Sequence, residues 1–356
     1  MQRGARLIGL DLGCGFTKAF DGQRTVQFTS LMGEPSGDAD ELRGPFADPA
    51  PTPGGYAVTL DGWTVLVGAR AVRECSHHRF PRGPDRLVDD FARILALCAL
   101  SHFSTQEQAL MVVTGLAVDY YRNHCEALQR QLVGYHKLQL QHDGQACVTC
   151  NLHIREIHVV PHPLGTYAGL ILDPDGRSLP GKYRDGKTAL VDVGFRTTNL
   201  GLLDRGRLSA RGSGTLNIGM AACYERIGRR LLTASGVRLD LERLFEAVRR
   251  GFIRIKGQEY NLAPLREESY RRLAEELAEG IQELLRDAWD LDVIGLTGGG
   301  GGELAAYLGQ RLPGEVYLIE SDVDPRLNNV QGLLRLARRR WGATGLCAAG
   351  GVAAGG

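Results

Sequence analysis

The chain has 356 residues, 43% apolar and 23% charged, proportions that suit a soluble globular protein of about two domains. Lys and Arg total 42 against 41 Asp and Glu, and a formal charge of +1 offers no general attraction to nucleic acid or to an anionic membrane. This excludes a collagen-like, disordered or DNA-coating chain, and eight sparse cysteines, mostly within apolar runs, point to a reducing cytoplasm rather than a disulfide framework.

Residues 1–6 lead straight into Leu7-Ile8-Gly9-Leu10, so no leader peptide is expected. The most apolar helical stretch, 92–100, is far shorter than the roughly 20 residues that span a bilayer. The first strand, Arg6–Leu12, ends in the turn Asp11-Leu12-Gly13-Cys14-Gly15-Phe16-Thr17-Lys18, with β-type runs at 17–20 and 25–28. Residues 32–55 are rich in Pro, Gly and Asp and read as a loop or a small irregular subdomain. Asp61-Gly62 between runs at 56–60 and 63–67 spells a hairpin. Helical spacing over 85–103, a buried strand at 109–114 and a helix over 120–133 follow.

The second half repeats this grammar. Alternating runs at 137–141 and 145–160 end at Pro161-His162-Pro163, before a helix over 164–172. A strand over 188–193 ends in Asp192-Val193-Gly194 and leads to another at 198–203. Leu10-Asp11-Leu12-Gly13 and Val191-Asp192-Val193-Gly194 are thus two copies of one device: strand, acid, glycine, hairpin. The rest is mostly helical, over 220–232, 239–250 and 267–289. A strand over 293–297 then opens into Gly298-Gly299-Gly300-Gly301-Gly302, with a helix from Glu303. A strand over 316–320 precedes Asp322-Val323-Asp324-Pro325-Arg326. The helix after Asn328 is expected to end at Arg338-Arg339-Arg340, whose charges complement its dipole, and the Ala/Gly tail 348–356 to fray. No repeat of roughly 20–50 residues exists, so the pattern is a duplicated α/β domain rather than a solenoid. Residues 1–162 form the expected first domain and 163–334 the second, with a terminal helix within 335–356 available to return to the first.

A turn free of bulky Cβ groups lets backbone N–H groups face an anion, commonly phosphate. Two such turns, each with an acid at the strand end, are more specific, because carboxylates repel phosphate unless a divalent cation lies between them. Asp11 and Asp192 are therefore candidate anchors for hydrated Mg²⁺, held through water, and Lys18 a candidate charge for the terminal phosphates. Taken singly, either Asp equally suits a hairpin turn; their pairing favours the functional reading. Cys147-x-x-Cys150, with His153 and His158 nearby, has zinc-like residue types, but the segment reads as strand and has no second such pair, so no zinc site is expected. The charges of 267–289 read as a solvated helix face.

On these residues the chain resembles the actin superfamily. Asp11-x-Gly13-x-Gly15-x-x-Lys18 is similar to its first phosphate motif, Asp192-x-Gly194-x-x-Thr197-Thr198 to its second, and Thr297-Gly298-Gly299-Gly300 to its adenosine motif. Within the superfamily the chain looks most like the ParM/StbA branch of actin-like ATPases. The residues behind that likeness are the run from Val191 to Thr198, Ser213-Gly214-Thr215-Leu216-Asn217-Ile218-Gly219, and Asp324-Pro325-Arg326-Leu327-Asn328-Asn329-Val330-Gln331-Gly332.

The resemblance implies two duplicated α/β domains, each with a five-stranded mixed sheet and flanking helices, around a central nucleotide cleft. It implies a cytoplasmic ATPase that binds ATP or ADP with Mg²⁺, hydrolyses ATP slowly, and polymerises with itself into filaments for plasmid or DNA segregation or other intracellular positioning. A DNA-bound adaptor protein is the implied further partner, with no direct contact to membrane or nucleic acid. Carried over by motif, Gly13, Cys14, Gly15, Phe16, Thr17 and Lys18 face the phosphates from one side, and Gly194, Phe195, Arg196, Thr197 and Thr198 from the other. Glu225, Gly298, Gly299, Gly300 and Gly301 face the adenosine, and His162, Asp11 and Asp192 form the catalytic group. The chain departs from the family pattern at three positions. His162 stands where Gln or Glu usually orients the attacking water, Cys14 where a hydroxyl is frequent, and Asn199 where an aspartate is common, which together suggest slow turnover. A second reading leaves His162 as a strand-end residue. The competing functions are a non-polymerising ATPase or a small-molecule kinase of the same superfamily, the latter lacking a dedicated acid/base motif here.

Overall fold

A computed structural model describes residues 4–35, 54–75, 77–81, 90–105, 108–319 and 324–346 of the chain. Strand β1 (Arg6–Leu12) carries apolar side chains on both faces, as a strand covered on both sides must. It turns into β2 (Phe16–Phe20) and β3 (Thr25–Thr29), and β4 (Met32–Gly33) follows. Residues 36–53, which hold most of the expected loop, lie outside the described residues. Strands β5 (Gly55–Leu60) and β6 (Trp63–Gly68) form the expected hairpin, its turn made by Asp61 and Gly62 at φ 52° and 82°. Next come α1 (Ala69–Glu74), β7 (His78–Arg79) and the almost wholly buried α2 (Asp90–Ser101). Residues 85–89 of the expected helix are not described. Strand β8 (Leu110–Leu116), helix α3 (Val118–Leu132), strands β9 (Gly134–His142) and β10 (Val148–Pro161), and helices α4 (Pro163–Ile171) and α5 (Lys182–Asp185) complete this stretch.

The next segment opens with β11 (Lys187–Val193), β12 (Thr198–Asp204) and β13 (Arg207–Leu216). Helices α6 (Ala221–Ser235) and α7 (Leu241–Arg250) lead to a small hairpin, β14 (Phe252–Ile255) and β15 (Gln258–Asn261), between two expected helices where the sequence reading assigns no strand. Its turn residues, Lys256 and Gly257, have φ 49° and 81°. Helix α8 (Ala263–Leu284) buries Tyr270, Leu273, Ala274, Leu277, Ala278 and Ile281, a helical stripe, and turns its charges outward. Strand β16 (Val293–Thr297), helix α9 (Gly299–Leu308), strand β17 (Val316–Leu318), a 3-10 turn at Pro325–Leu327 and helix α10 (Asn328–Leu346) end the described chain.

Two compact units result, one of residues 1–184 and 327–356, the other of 185–326. The expected division at 162/163 differs from this, because α4 packs on α10 and α10 on β1, so both belong to the first unit. The five-stranded order β3-β2-β1-β8-β10 in the first unit matches β13-β12-β11-β16-β17 in the second, with antiparallel and parallel pairs in the same places. The first unit corrects the expectation of five strands in each domain: its sheet has ten, continuing as β9-β5-β6-β4-β7. The cause is the length of β10. Its later half pairs with β8 from Ile154 to Pro161, while its earlier half, Val148 to Ile154, pairs with β9, which in turn templates the β5–β6 hairpin.

Side-chain alternation divides the first unit's core between the two sheet faces. Ile8, Leu10, Val112 and Val159 meet α2 and α3. Leu7, Val113 and Val160 meet Leu164, Leu333, Ala337 and Trp341 of α4 and α10. Helix α10 runs past the expected stop at Arg338–Arg340 to Leu346, and these arginines tie it to its own unit. Arg338 donates to Pro174 O, Arg339 to Ser178 Oγ, and Arg340 pairs with Glu156. The expected tail 348–356 lies outside the described residues. Among the described residues no helix is long and apolar enough to cross a membrane.

Candidate functional site: two acidic phosphate hairpins

The two hairpins are closed by one contact. Gly13 N–H donates to Phe16 O at 3.1 Å, and Gly194 N–H to Thr197 O at 2.9 Å. A Cβ on either glycine would stand 2.8 Å from that carbonyl, so the turn excludes any side chain there. Asp11 faces Lys18 across β1–β2 where Asp192 faces Asn199 across β11–β12. The hydroxyls of Thr17 and Thr198, expected at phosphate, are buried and spent inside their own hairpins. Ser30 Oγ donates to Gly13 O at 2.6 Å, so Thr17 Oγ1 donates to Ser30 Oγ at 2.9 Å. Thr198 Oγ1 donates to Ile218 O at 2.9 Å. What these turns offer an anion is backbone.

In the first unit, Asp11 is buried and both its oxygens are matched. Lys18 Nζ donates to Oδ2 at 2.8 Å, and His162 Nε2 lies 3.0 Å from Oδ1. Burial by itself raises the Asp11 carboxyl, but the Lys18 ammonium and the His162 hydrogen bond outweigh it and hold the group well below the usual carboxylate range. Lys18 is therefore committed to Asp11 here, rather than extended toward the turn. His162 precedes α4 and continues the β8 ladder, its N–H donating to Leu116 O at 2.7 Å. An ionised carboxylate only accepts, so Nε2 carries the proton that faces Asp11. Asn329 Nδ2 stands 2.9 Å from Nδ1 and 3.1 Å from Nε2 of the same ring, resting over the imidazole rather than in line with one nitrogen.

In the second unit, the glycine run corrects the expected helix start: α9 begins at Gly299, not Glu303, with Gly298 as its N-cap at φ 83°. A Cβ on Gly298 would fall 2.2 Å from Asp192 Oδ1, so the strand-end acid and the N-terminus of α9 close on each other. Gly300 is equally confined: a Cβ there would meet Val193 Cγ1 at 2.6 Å and Met220 Cγ at 2.7 Å. The first turn of α9, all glycine, carries no side chain of its own over the helix N–H groups. The entry of α6 braces the Gly194–Thr197 turn, Met220 N–H donating to Gly194 O and Ala221 N–H to Phe195 O. Glu225 lies exposed on α6, where Arg196 Nη1 holds it at 3.2 Å while the guanidinium covers the Phe195 ring. The second unit thus gathers Asp192, Gly194 to Thr198, Glu225 and Gly298 to Gly301, and the first gathers Asp11, Gly13 to Lys18 and His162.

Two residues were given no role by sequence reasoning. Arg326 lays its stem against Gly299 and is fixed by Asp324, its Nε reaching both carboxylate oxygens at 3.0 and 2.9 Å. Asn329 reaches His162 from α10. Both lie in the run from Asp324 to Gly332 that carried part of the resemblance, which was the available signal. Among the described residues, no cluster of three or more His, Cys, Asp or Glu is set to hold a metal directly.

Comparison with known proteins agrees with this architecture. The family model for the N-terminal domain of actin-like proteins matches residues 9–165, and that for the C-terminal domain of the archaeal MreB-like actin homologue matches 190–312. The archaeal actin homologue Ta0583, solved in complex with ADP, has a TM-score of 0.75 at 19% identity over 94% of this chain and 99% of its own. A 15-stranded ParM filament from Clostridium botulinum gives 0.71 at 18% identity, over 95% and 100%. The apo psk41 ParM protein gives 0.69 at 16%, over 96% and 99%. At these identities the solved structures establish the fold. No curated protein sequence matches significantly. With an actin-like N-terminal domain followed by an archaeal actin-homologue C-terminal domain, matched over most of its length, this chain belongs to the actin superfamily.

Proposed function

We propose that this protein binds Mg-ATP, hydrolyses it slowly and assembles into cytoplasmic filaments that segregate plasmid DNA or position another cargo. The observation that carries this reading is the duplicated hairpin, a buried acid beside a turn that tolerates no side chain, built once in each unit. Asp11 and Asp192 supply hard oxygen donors, which suit Mg²⁺ held through its waters. The close approach of Gly298 to Asp192, which leaves no room for a Cβ, sets the all-glycine first turn of α9 beside the strand-end acid, an arrangement that suits a phosphate chain at the helix N-terminus. When bound, Mg²⁺ supplies charge neutralisation at the phosphates.

The protein's own part is positioning. The turns at Gly13–Lys18 and Gly194–Thr198 offer backbone N–H groups to the phosphates, while Gly298–Gly301 and Glu225 serve the adenosine. His162, at the end of β10, acts where water attacks, by holding the Asp11 carboxylate in place. Assembly is supported by the likeness of fold to a ParM filament; a DNA-bound adaptor would join filament to cargo. Loss of one phosphate removes contacts that the turns make with the nucleotide, which makes the filament labile.

Sedimentation tests the whole reading. The protein should pellet with ATP and Mg²⁺, stay soluble without either, and release phosphate slowly. A protein that stays soluble while hydrolysing ATP is a non-polymerising ATPase, and one that transfers phosphate to a metabolite is a kinase; either result overturns the filament.

A further inference from the structure

Helix α10 enters the first unit's site through one side chain. Asn329 is 6% exposed, and its orientation is set by groups that can act only one way. The Thr166 backbone N–H donates to Asn329 Oδ1 at 2.8 Å and the Thr166 hydroxyl donates to the same oxygen at 3.1 Å, so the amide NH₂ must face the other way, over His162. The imidazole is also bounded by Gly115, where a Cβ would stand 3.0 Å from His162 Cδ2. The ring thus touches a glycine of β8 and an amide of α10 while its Nε2 faces Asp11. Three further glycines bring the amide there. A Cβ on Gly165 would meet Asn329 Oδ1 at 2.5 Å, one on Gly332 would meet Gly165 O at 1.8 Å, and one on Gly9 would meet Val330 O at 2.3 Å. Helix α10 thus touches α4 and β1 backbone to backbone at the turn that carries Asn329.

We propose that Asn329 is a positioning residue for ATP hydrolysis: its amide fixes the His162 ring against Asp11 and so makes the C-terminal helix part of the hydrolytic machinery. The inference deepens the ATPase reading and rests on it. Asn329 touches no reacting atom; it acts through His162. Removing the amide frees the imidazole to rotate about χ1 and χ2, which loosens one of the two partners of the Asp11 carboxylate. Nucleotide binding, carried by backbone turns on other elements, is affected far less than turnover.

The alternative is that Asn329 only caps α4 through Thr166, and Asn329→Asp separates the two roles. It keeps an oxygen for the Thr166 N–H, adds an acid where a helix N-terminus tolerates one, and deletes the NH₂ over the ring. We expect both Asn329→Ala and Asn329→Asp to shift the His162 Cε1–Hε1 NMR signal in nucleotide-free protein, assigned by its loss in His162→Gln. We further expect kcat to fall roughly 10-fold with KM for ATP little changed, and no added loss when Asn329→Asp is combined with His162→Gln. If Asn329→Ala does not fold, Asn329→Asp alone decides. An unmoved His162 signal in Asn329→Asp, or losses that multiply in the double variant, would overturn the proposal. A shifted signal in a protein whose wild type hydrolyses no ATP would keep the contact but end the catalytic role and the ATPase reading together.

Discussion

A buried carboxylate is costly unless its oxygens are matched, and the two strand-end acids meet that demand differently. Asp11 is paired by Lys18 and His162 within its own unit, whereas Asp192 faces Asn199, whose amide oxygen already accepts from Thr215. Replacing Asp192 leaves the Gly194–Thr197 turn contact intact, because that contact is backbone to backbone. Asp192→Ala should lower Mg-ATP affinity at least about 10-fold in calorimetry while the melting temperature stays near that of wild type. Unchanged affinity would remove Asp192 from the site. At this scale the sequence was informative about acids and glycines, because a turn that forbids Cβ leaves a local trace in residue type. It was misleading about Thr17 and Thr198, whose hydroxyls are consumed by Ser30 and Ile218. It gave Asn329 a place in the Asp324–Gly332 run but no role, since nothing local marks an amide that meets a ring contributed by another element.

Strands and hairpins were legible because their pairing is set by alternation and by turn chemistry a few residues long. The expected Arg6–Leu12 strand, the 56–67 hairpin and the 293–297 strand stand where the pattern put them. The glycine run after Thr297 was harder. Glycine is a poor helix former, yet here confinement by Asp192, Val193 and Met220 offsets its backbone entropy and winds Gly299 onward into α9. The β14–β15 hairpin went unseen because its side chains are mostly polar and exposed. Helix packing offers a sharper test. With Gly332 against the Gly165 carbonyl, Gly332→Ala must push α10 off α4, a cost of about 1–3 kcal/mol or more. Thermal unfolding should show a melting temperature several degrees lower, and an unshifted melt would mean the two helices do not meet there.

Across the molecule, one five-strand order serves both units, but the first adds five strands and a half-buried cluster of rings. His102, His142 and Tyr56 pack edge to face with ring centroids 4.9–5.2 Å apart, beside Arg24. Burial, with His142 and Arg24 near, pulls His102 down to about 3 from an ordinary 6.5. The unfolded chain therefore binds a proton that the folded one refuses, so stability is full above pH 6.5 and is lost as pH falls from there toward 3. Urea midpoints should be lower at pH 5 than at pH 7.5, and His102→Phe should narrow that gap; an equal gap in the variant would place the acid sensitivity elsewhere. The sequence alone determined the acidic glycine hairpins, their duplication and the α/β alternation, because each depends on residues a few positions apart whose backbone demands are written in their type. Only the tertiary structure decided that ten strands join one sheet, that the chain's last described helix returns to the first strand, and that its amide grips His162. Those contacts join segments far apart in the chain, where shape and the exclusion of a single Cβ govern approach and no periodicity records it.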